Sequence, residues 1–80
     1  MSKRRDDDYD FDLNVGNQLK KLRQDRNLSM QDISDRLNVS KMTVSRWESG
    51  EVRMYGRSLK DYCDCLNISL SEFFALVEKN

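Results

Sequence analysis

Histidine and proline are absent from the 80 residues, and glycine occurs three times. Without histidine, a zinc site or a histidine-based catalytic pair is hard to build. Without proline, no helix interior is interrupted by a missing amide. No apolar run approaches the roughly 18 residues needed to span a bilayer, and no signal-peptide h-region follows the basic start. A soluble, cytoplasmic protein is expected. The two cysteines, Cys63 and Cys65, are one residue apart. On a helix that spacing separates them by about 200°, too divergent for a disulfide or a shared metal. They read as small reduced side chains, buried or half-buried. No nucleophile–base pair, metal set or phosphate loop is present, so an enzyme is disfavoured, and no cofactor or small-molecule ligand is expected.

The chain also lacks net charge, with 14 basic and 14 acidic residues. The distribution says more than the sum. Residues 1–12 carry a net −2, residues 13–38 a net +2, residues 39–60 a net +3 and residues 61–80 a net −3. A basic middle lies between acidic ends.

What is present is helix-forming sequence. No stretch alternates apolar and polar residues as a strand would. Residues 1–12 (MSKRRDDDYDFD) form a charge-blocky tail with no period, expected to be disordered. Val15, Leu19 and Leu22 recur at helical spacing and predict a first helix from about 13 to 26, closed by Leu28. Ser29 and Asp32 form an N-cap pair, and Met30, Ile33 and Leu37 mark the inner face of a second helix. Asn38 ends it, because asparagine tolerates the left-handed conformation. Val39 fills the turn and Ser40 caps a third helix, with Val44 and Trp47 pointing inward and Gly50 stopping it. A polar connection over residues 51–55 leads to a fourth helix near 56–66, built on Leu59, Tyr62, Cys63 and Leu66. Its start is ambiguous between Gly56 and Ser58. Ser69 to Glu72 is a capping box opening a last helix with Phe73, Phe74, Leu76 and Val77. Five short helices make an all-α orthogonal bundle spanning residues 13–80.

Helices two and three are joined by a turn short enough for a helix-turn-helix. With Val44 and Trp47 inside, Lys41, Met42, Ser45 and Arg46 fall on other faces, toward the N-terminal end that meets base edges in a major groove. A helix start normally favours acids, yet this first turn holds Lys41 and no acid. A polyanionic partner, double-stranded DNA, would supply the negative charge. Lys41 and Arg46 have the reach for guanine, and Met42 suits a thymine methyl. The hydroxyls of Ser40 and Thr43 suit phosphates near the helix start, and Arg53 lies just beyond the helix for another. The bland reading stands beside this one: exposed basic residues are solvated, and Met42 is a peripheral core residue.

The run VGNQLKKLRQDRNLSMQDISDRLNVSKMTVSRWESG resembles the Cro and phage-repressor (XRE-type) helix-turn-helix family. The resemblance rests on Gly16, Leu19 to Arg23, Leu28-Ser29, Asp32-Ile33, Leu37 to Ser40 and Val44 to Gly50, and continues through Leu66, Ile68, Ser69, Phe73 and Phe74. It implies a compact five-helix, lambda-repressor-like domain. It also implies a bacterial or phage-encoded transcriptional regulator, expected to be a repressor, that binds a pseudo-palindromic operator as a homodimer. By the same resemblance, Arg23 pairs with Glu48 and is oriented toward a DNA phosphate, with Trp47 as structural support. The family often has a DNA-contacting glutamine where this chain has Met30, so either Gln31 takes over a phosphate contact or the contact is absent. The C-terminal half is also similar to restriction–modification controller proteins.

The apolar cluster of Phe73, Phe74, Leu76 and Val77 wraps most of the last helix, and part of it is expected to form the dimer interface. The alternative is that all four pack within the chain. The tail has three readings: a minor-groove arm through Lys3, Arg4 and Arg5, an acidic competitor through residues 6–12, or a solvated segment. The rival to a DNA-reading regulator is a protein-interaction module of the same fold, antirepressor- or antitoxin-like.

Overall fold

The computed structural model describes residues 6–79, which form α1 (Asp6–Asp25), α2 (Met30–Leu37), α3 (Lys41–Ser49), α4 (Gly56–Cys65) and α5 (Leu70–Glu78). The all-α, five-helix expectation holds, with no strand among the described residues. None of these helices is long and apolar enough to cross a membrane.

Three of the four corners repeat one device. Each reads asparagine, apolar residue, serine: Asn27-Leu28-Ser29, Asn38-Val39-Ser40 and Asn67-Ile68-Ser69. All three asparagines sit in the left-handed region at φ 57, which asparagine tolerates better than other side chains. The apolar residue is half-buried each time, and its amide donates back to the carbonyl five residues earlier: Leu28 to Arg23 at 3.0 Å, Val39 to Ser34 at 3.0 Å, Ile68 to Cys63 at 3.1 Å. That is the bond that closes a Schellman motif. The serine hydroxyl then accepts from the amide three residues on, in Asp32, Thr43 and Glu72. Each corner therefore satisfies the end of one helix and the start of the next within three residues.

The caps differ in detail. Ser29 and Asp32 form a complete box, with Asp32 accepting from the Ser29 amide at 2.8 Å. That bond and the Ser29 hydroxyl hold the Asp32 carboxyl below its ordinary range. The box expected at Ser69 is half-formed, because Glu72 accepts from the Ser69 hydroxyl instead of its amide. The start of α4 resolves to Gly56, with Tyr55 as an N-cap that makes no side-chain hydrogen bond.

The core is Val15, Leu19, Leu22, Ile33, Val44, Trp47, Leu59, Tyr62, Cys63, Leu66, Phe73 and Val77. In it α1 packs on α3, α3 on α2 and α2 on α4, with α5 seated against α1 and α4. Gly16 sets the α1–α3 crossing: a Cβ there would come within 2.4 Å of the Glu48 carbonyl oxygen and 2.5 Å of that of Trp47. Cys63 is buried and Cys65 half-buried, both free thiols; burial pushes Cys63 up to about 11.

Two expectations are corrected. The first helix begins at Asp6 and not at 13, so residues 6–12 are helical and not a disordered tail. Acids suit the positive end of a helix dipole, and two contacts anchor the extension. Phe11 stacks on Phe74 with centroids 6.4 Å apart, and Asp12 is buried against Arg53. Lys3, Arg4 and Arg5 lie outside the described residues. The second correction concerns α5: Phe73 and Val77 are core residues, 0% and 5% exposed, and cannot present a surface. Phe74 and Leu76 are half-buried. The extension of α1 covers part of α5, so more of its apolar face packs within the chain than a bundle starting at residue 13 would allow.

Candidate nucleic-acid interface

Helix α3 is fixed in rotation by what it buries. Val44 and Trp47 point into the core and Glu48 is 4% exposed. Opposite them, Lys41, Met42, Ser45, Arg46 and Ser49 are exposed. Met42, at 61% exposure, is a large apolar side chain on an otherwise polar face. The first turn holds no acid. Gly50 ends the helix at φ 78, a conformation glycine adopts without penalty.

At the α3 start, the Ser40 hydroxyl accepts from the Thr43 amide at 3.0 Å. It also shares a hydrogen bond with the Thr43 hydroxyl at 2.8 Å. Ser40 is exposed and Thr43 half-buried. Gln31 is exposed in the first turn of α2, its amide nitrogen donating to Asp35 Oδ1 at 2.9 Å and Ser34 Oγ at 3.2 Å. Met30 packs against the core, so it fills space where a glutamine would be polar. Arg46 lies 3.8 Å from Glu51, both more than half exposed, a spacing that leaves the guanidinium largely solvated.

The buried charges behind α3 form one network. Arg23 Nε donates to Glu48 Oε2 at 2.7 Å and Nη2 to Oε1 at 3.0 Å, a two-pronged pairing. Nη1 donates to the Leu28 carbonyl at 2.8 Å. The Tyr62 hydroxyl donates to the same Glu48 carboxylate. The guanidinium thus holds α1, the entry to α2 and α3 together, and Tyr62 adds α4. The Glu48 hydrogen bond holds the Arg23 pKa above its ordinary value. Burial, then the bond to Glu48, pushes the Tyr62 phenol well up. No buried side-chain polar atom among the described residues lacks a partner, which a buried ion pair requires if it is not to destabilise.

The expected pairing of Arg23 with Glu48 is present. The Arg23 side chain is 7% exposed and three of its nitrogens are engaged inside the protein, so it braces the fold. Arg53 is also engaged, its Nε 3.2 Å from Asp12 Oδ2, with the side chain 49% exposed. Three residues escaped the sequence reading. Asn17 and Lys20 line a groove with Ser45 and Ser49 between α1 and α3, extending the polar face of α3 across α1. Tyr62 was assigned only to the core, although a buried carboxylate calls for more than one donor.

A helix-turn-helix family model, HTH_3, matches residues 19–73. The chain belongs to this family. An HTH_3 family transcriptional regulator from Vibrio cholerae, known by its crystal structure, is 35% identical with a TM-score of 0.77, over 86% of this chain and 39% of that one. The chain therefore spans about two fifths of that regulator's length. No curated protein matches. The HTH_3 match includes α2, α3 and the Arg23–Glu48–Tyr62 network.

Proposed function

We propose that this chain is a sequence-specific DNA-binding transcriptional regulator, acting in the cytoplasm as a repressor that reads a pseudo-palindromic operator as a dimer. The observation that carries this is the division of α3. Val44, Trp47 and Glu48 lock one side, while Lys41, Met42, Ser45 and Arg46 stand exposed beside an acid-free first turn. In this reading those four face base edges. Ser40, Thr43, Gln31 and Arg53 face phosphates, joined by Asn17 and Lys20 from α1. Glu48 and Trp47 hold the helix in register. Repression needs nothing beyond occupancy of the operator.

The dimer surface differs from the one expected on α5. Phe74 and Leu76 remain candidates there, joined by exposed Phe11, Val52 and Tyr55. Phe11, Val52 and Phe74 line one groove with Met54 and Leu59, and the Asp12–Arg53 pair lines it too.

Selection from a random duplex pool tests the reading. A recovered palindrome with half-sites about 10 bp apart is expected from a two-fold dimer. Arg46→Ala should then cost about 1–3 kcal/mol, concentrated at one base position. Failure to enrich any sequence would refute it, in favour of an interaction module of the same fold.

A further inference from the structure

Asp12 and Arg53 connect two parts of the chain that 40 residues of sequence separate. Asp12 lies in the N-terminal extension of α1, and Arg53 in the irregular connection after α3. Arg53 Nε is 3.2 Å and 3.4 Å from the two carboxylate oxygens. Asp12 is 8% exposed while the Arg53 side chain is 49% exposed. One partner is rooted in the protein, and the other reaches the surface past the C-terminal end of α3.

We infer that Asp12 is a positioning residue, which aims Arg53 at a DNA phosphate flanking the major groove. This rests on the reading of Arg53 as a phosphate contact. A long, flexible side chain in a connection without regular structure loses much rotamer freedom on binding unless it is held beforehand. Asp12 provides the hold, and its own position is referenced to the recognition helix. One turn further along α1, Gly16 lies against the carbonyls of Trp47 and Glu48, and Gly50 lies against the backbone of Asp12 and Leu13. Phe11 on Phe74 seats the same turn against α5. The carboxylate, α3 and the connection thus form one body, and Arg53 inherits its direction from the helix that reads the bases.

The opposite reading is that Asp12 neutralises Arg53 and restrains binding. The two differ in sign. Operator and non-operator affinities, with their salt dependence, are measured for the full chain and for Asp12→Ala, Asp12→Asn, Arg53→Ala and the Asp12→Ala/Arg53→Ala double variant. Arg53→Ala should weaken both DNAs alike and reduce the salt slope by about one. Asp12→Ala should weaken both by about threefold with helicity at 222 nm retained, and should add nothing once Arg53 is gone, as a double-mutant cycle requires of coupled residues. Asp12→Asn keeps an acceptor for Nε and guards against loss of the α1 extension; it should stay within about twofold of the parent. A normal Arg53→Ala refutes the phosphate reading and the inference with it. A weakened Arg53→Ala beside an unchanged or tighter-binding Asp12→Ala overturns the inference alone, as does a gain in affinity for Asp12→Asn.

Discussion

The three asparagine–apolar–serine corners and the α3–α4 connection do the same mechanical task, but only the corners finish it with local bonds. At each corner a left-handed asparagine, a back-bonded apolar residue and a capping serine complete the turn within three residues. The α3–α4 connection runs from Gly50 to Tyr55, and its far end has no side-chain cap. Its near end closes as the corners do, with Gly50 left-handed and the Glu51 amide on the Arg46 carbonyl five residues back; beyond that it is held by partners elsewhere, Met54 against the core and Arg53 on Asp12. The corners are specified locally, so they set the helix-turn-helix spacing whatever surrounds them. The connection takes its shape from α1, and this links the extension of α1 to the end of the recognition helix.

That contrast can be broken from the tertiary side first. Glu48→Ala leaves the Arg23 guanidinium buried without its carboxylate and should cost about 3–5 kcal/mol in urea unfolding. A loss below about 1 kcal/mol would mean that the network contributes little to holding the helices together.

Gly16→Ala sets two principles against each other. In an exposed helix interior, alanine is better than glycine by about 1 kcal/mol. Here its Cβ would meet two α3 carbonyls at 2.4–2.5 Å, and the net effect should be a loss of about 1–3 kcal/mol. A gain in stability would show that α1 and α3 separate freely.

The local devices should give smaller and more uniform effects. Ser29→Ala, Ser40→Ala and Ser69→Ala should each cost about 1 kcal/mol. Tyr55→Ala, at the uncapped start of α4 and 82% exposed, should stay within about 0.5 kcal/mol. Equal losses at all four would erase the distinction between corners and connection.

The legible part of the fold was its local part. Capping serines, the left-handed Asn38 and apolar spacing placed α2, α3 and α5 with little error, because those signals act over three or four residues. The corner is repeated three times in the sequence, and it becomes apparent as one device only when the three backbones prove alike. The start of α1 was misplaced for the opposite reason. Residues 6–12 look like a solvated acidic block, since the sequence does not show what Phe11 and Asp12 pack against. Their partners, Phe74 and Arg53, are remote in sequence. The same distance hid Tyr62, whose tie to Glu48 crosses from α4 to α3. It also put Phe73 and Val77 on a surface that α1 and α4 in fact cover. For Arg23 the pairing with Glu48 was foreseen through the family pattern, while its burial and its bond to the Leu28 carbonyl came only with the packing of the helices.

Sequence alone determined the helix-turn-helix: which residues cap α3, which two face inward, and that its first turn carries Lys41 and no acid. These follow from backbone hydrogen bonding and helical periodicity, which are local in the chain. Tertiary structure decided which charges remain available to a partner. Arg23 is enclosed by Glu48, Leu28 and Tyr62, while Arg46 stays largely solvated and Arg53 is held half-exposed by Asp12. A guanidinium's role depends on which carboxylates and carbonyls surround it and how much water they exclude, and helix packing brings those groups together from distant parts of the chain.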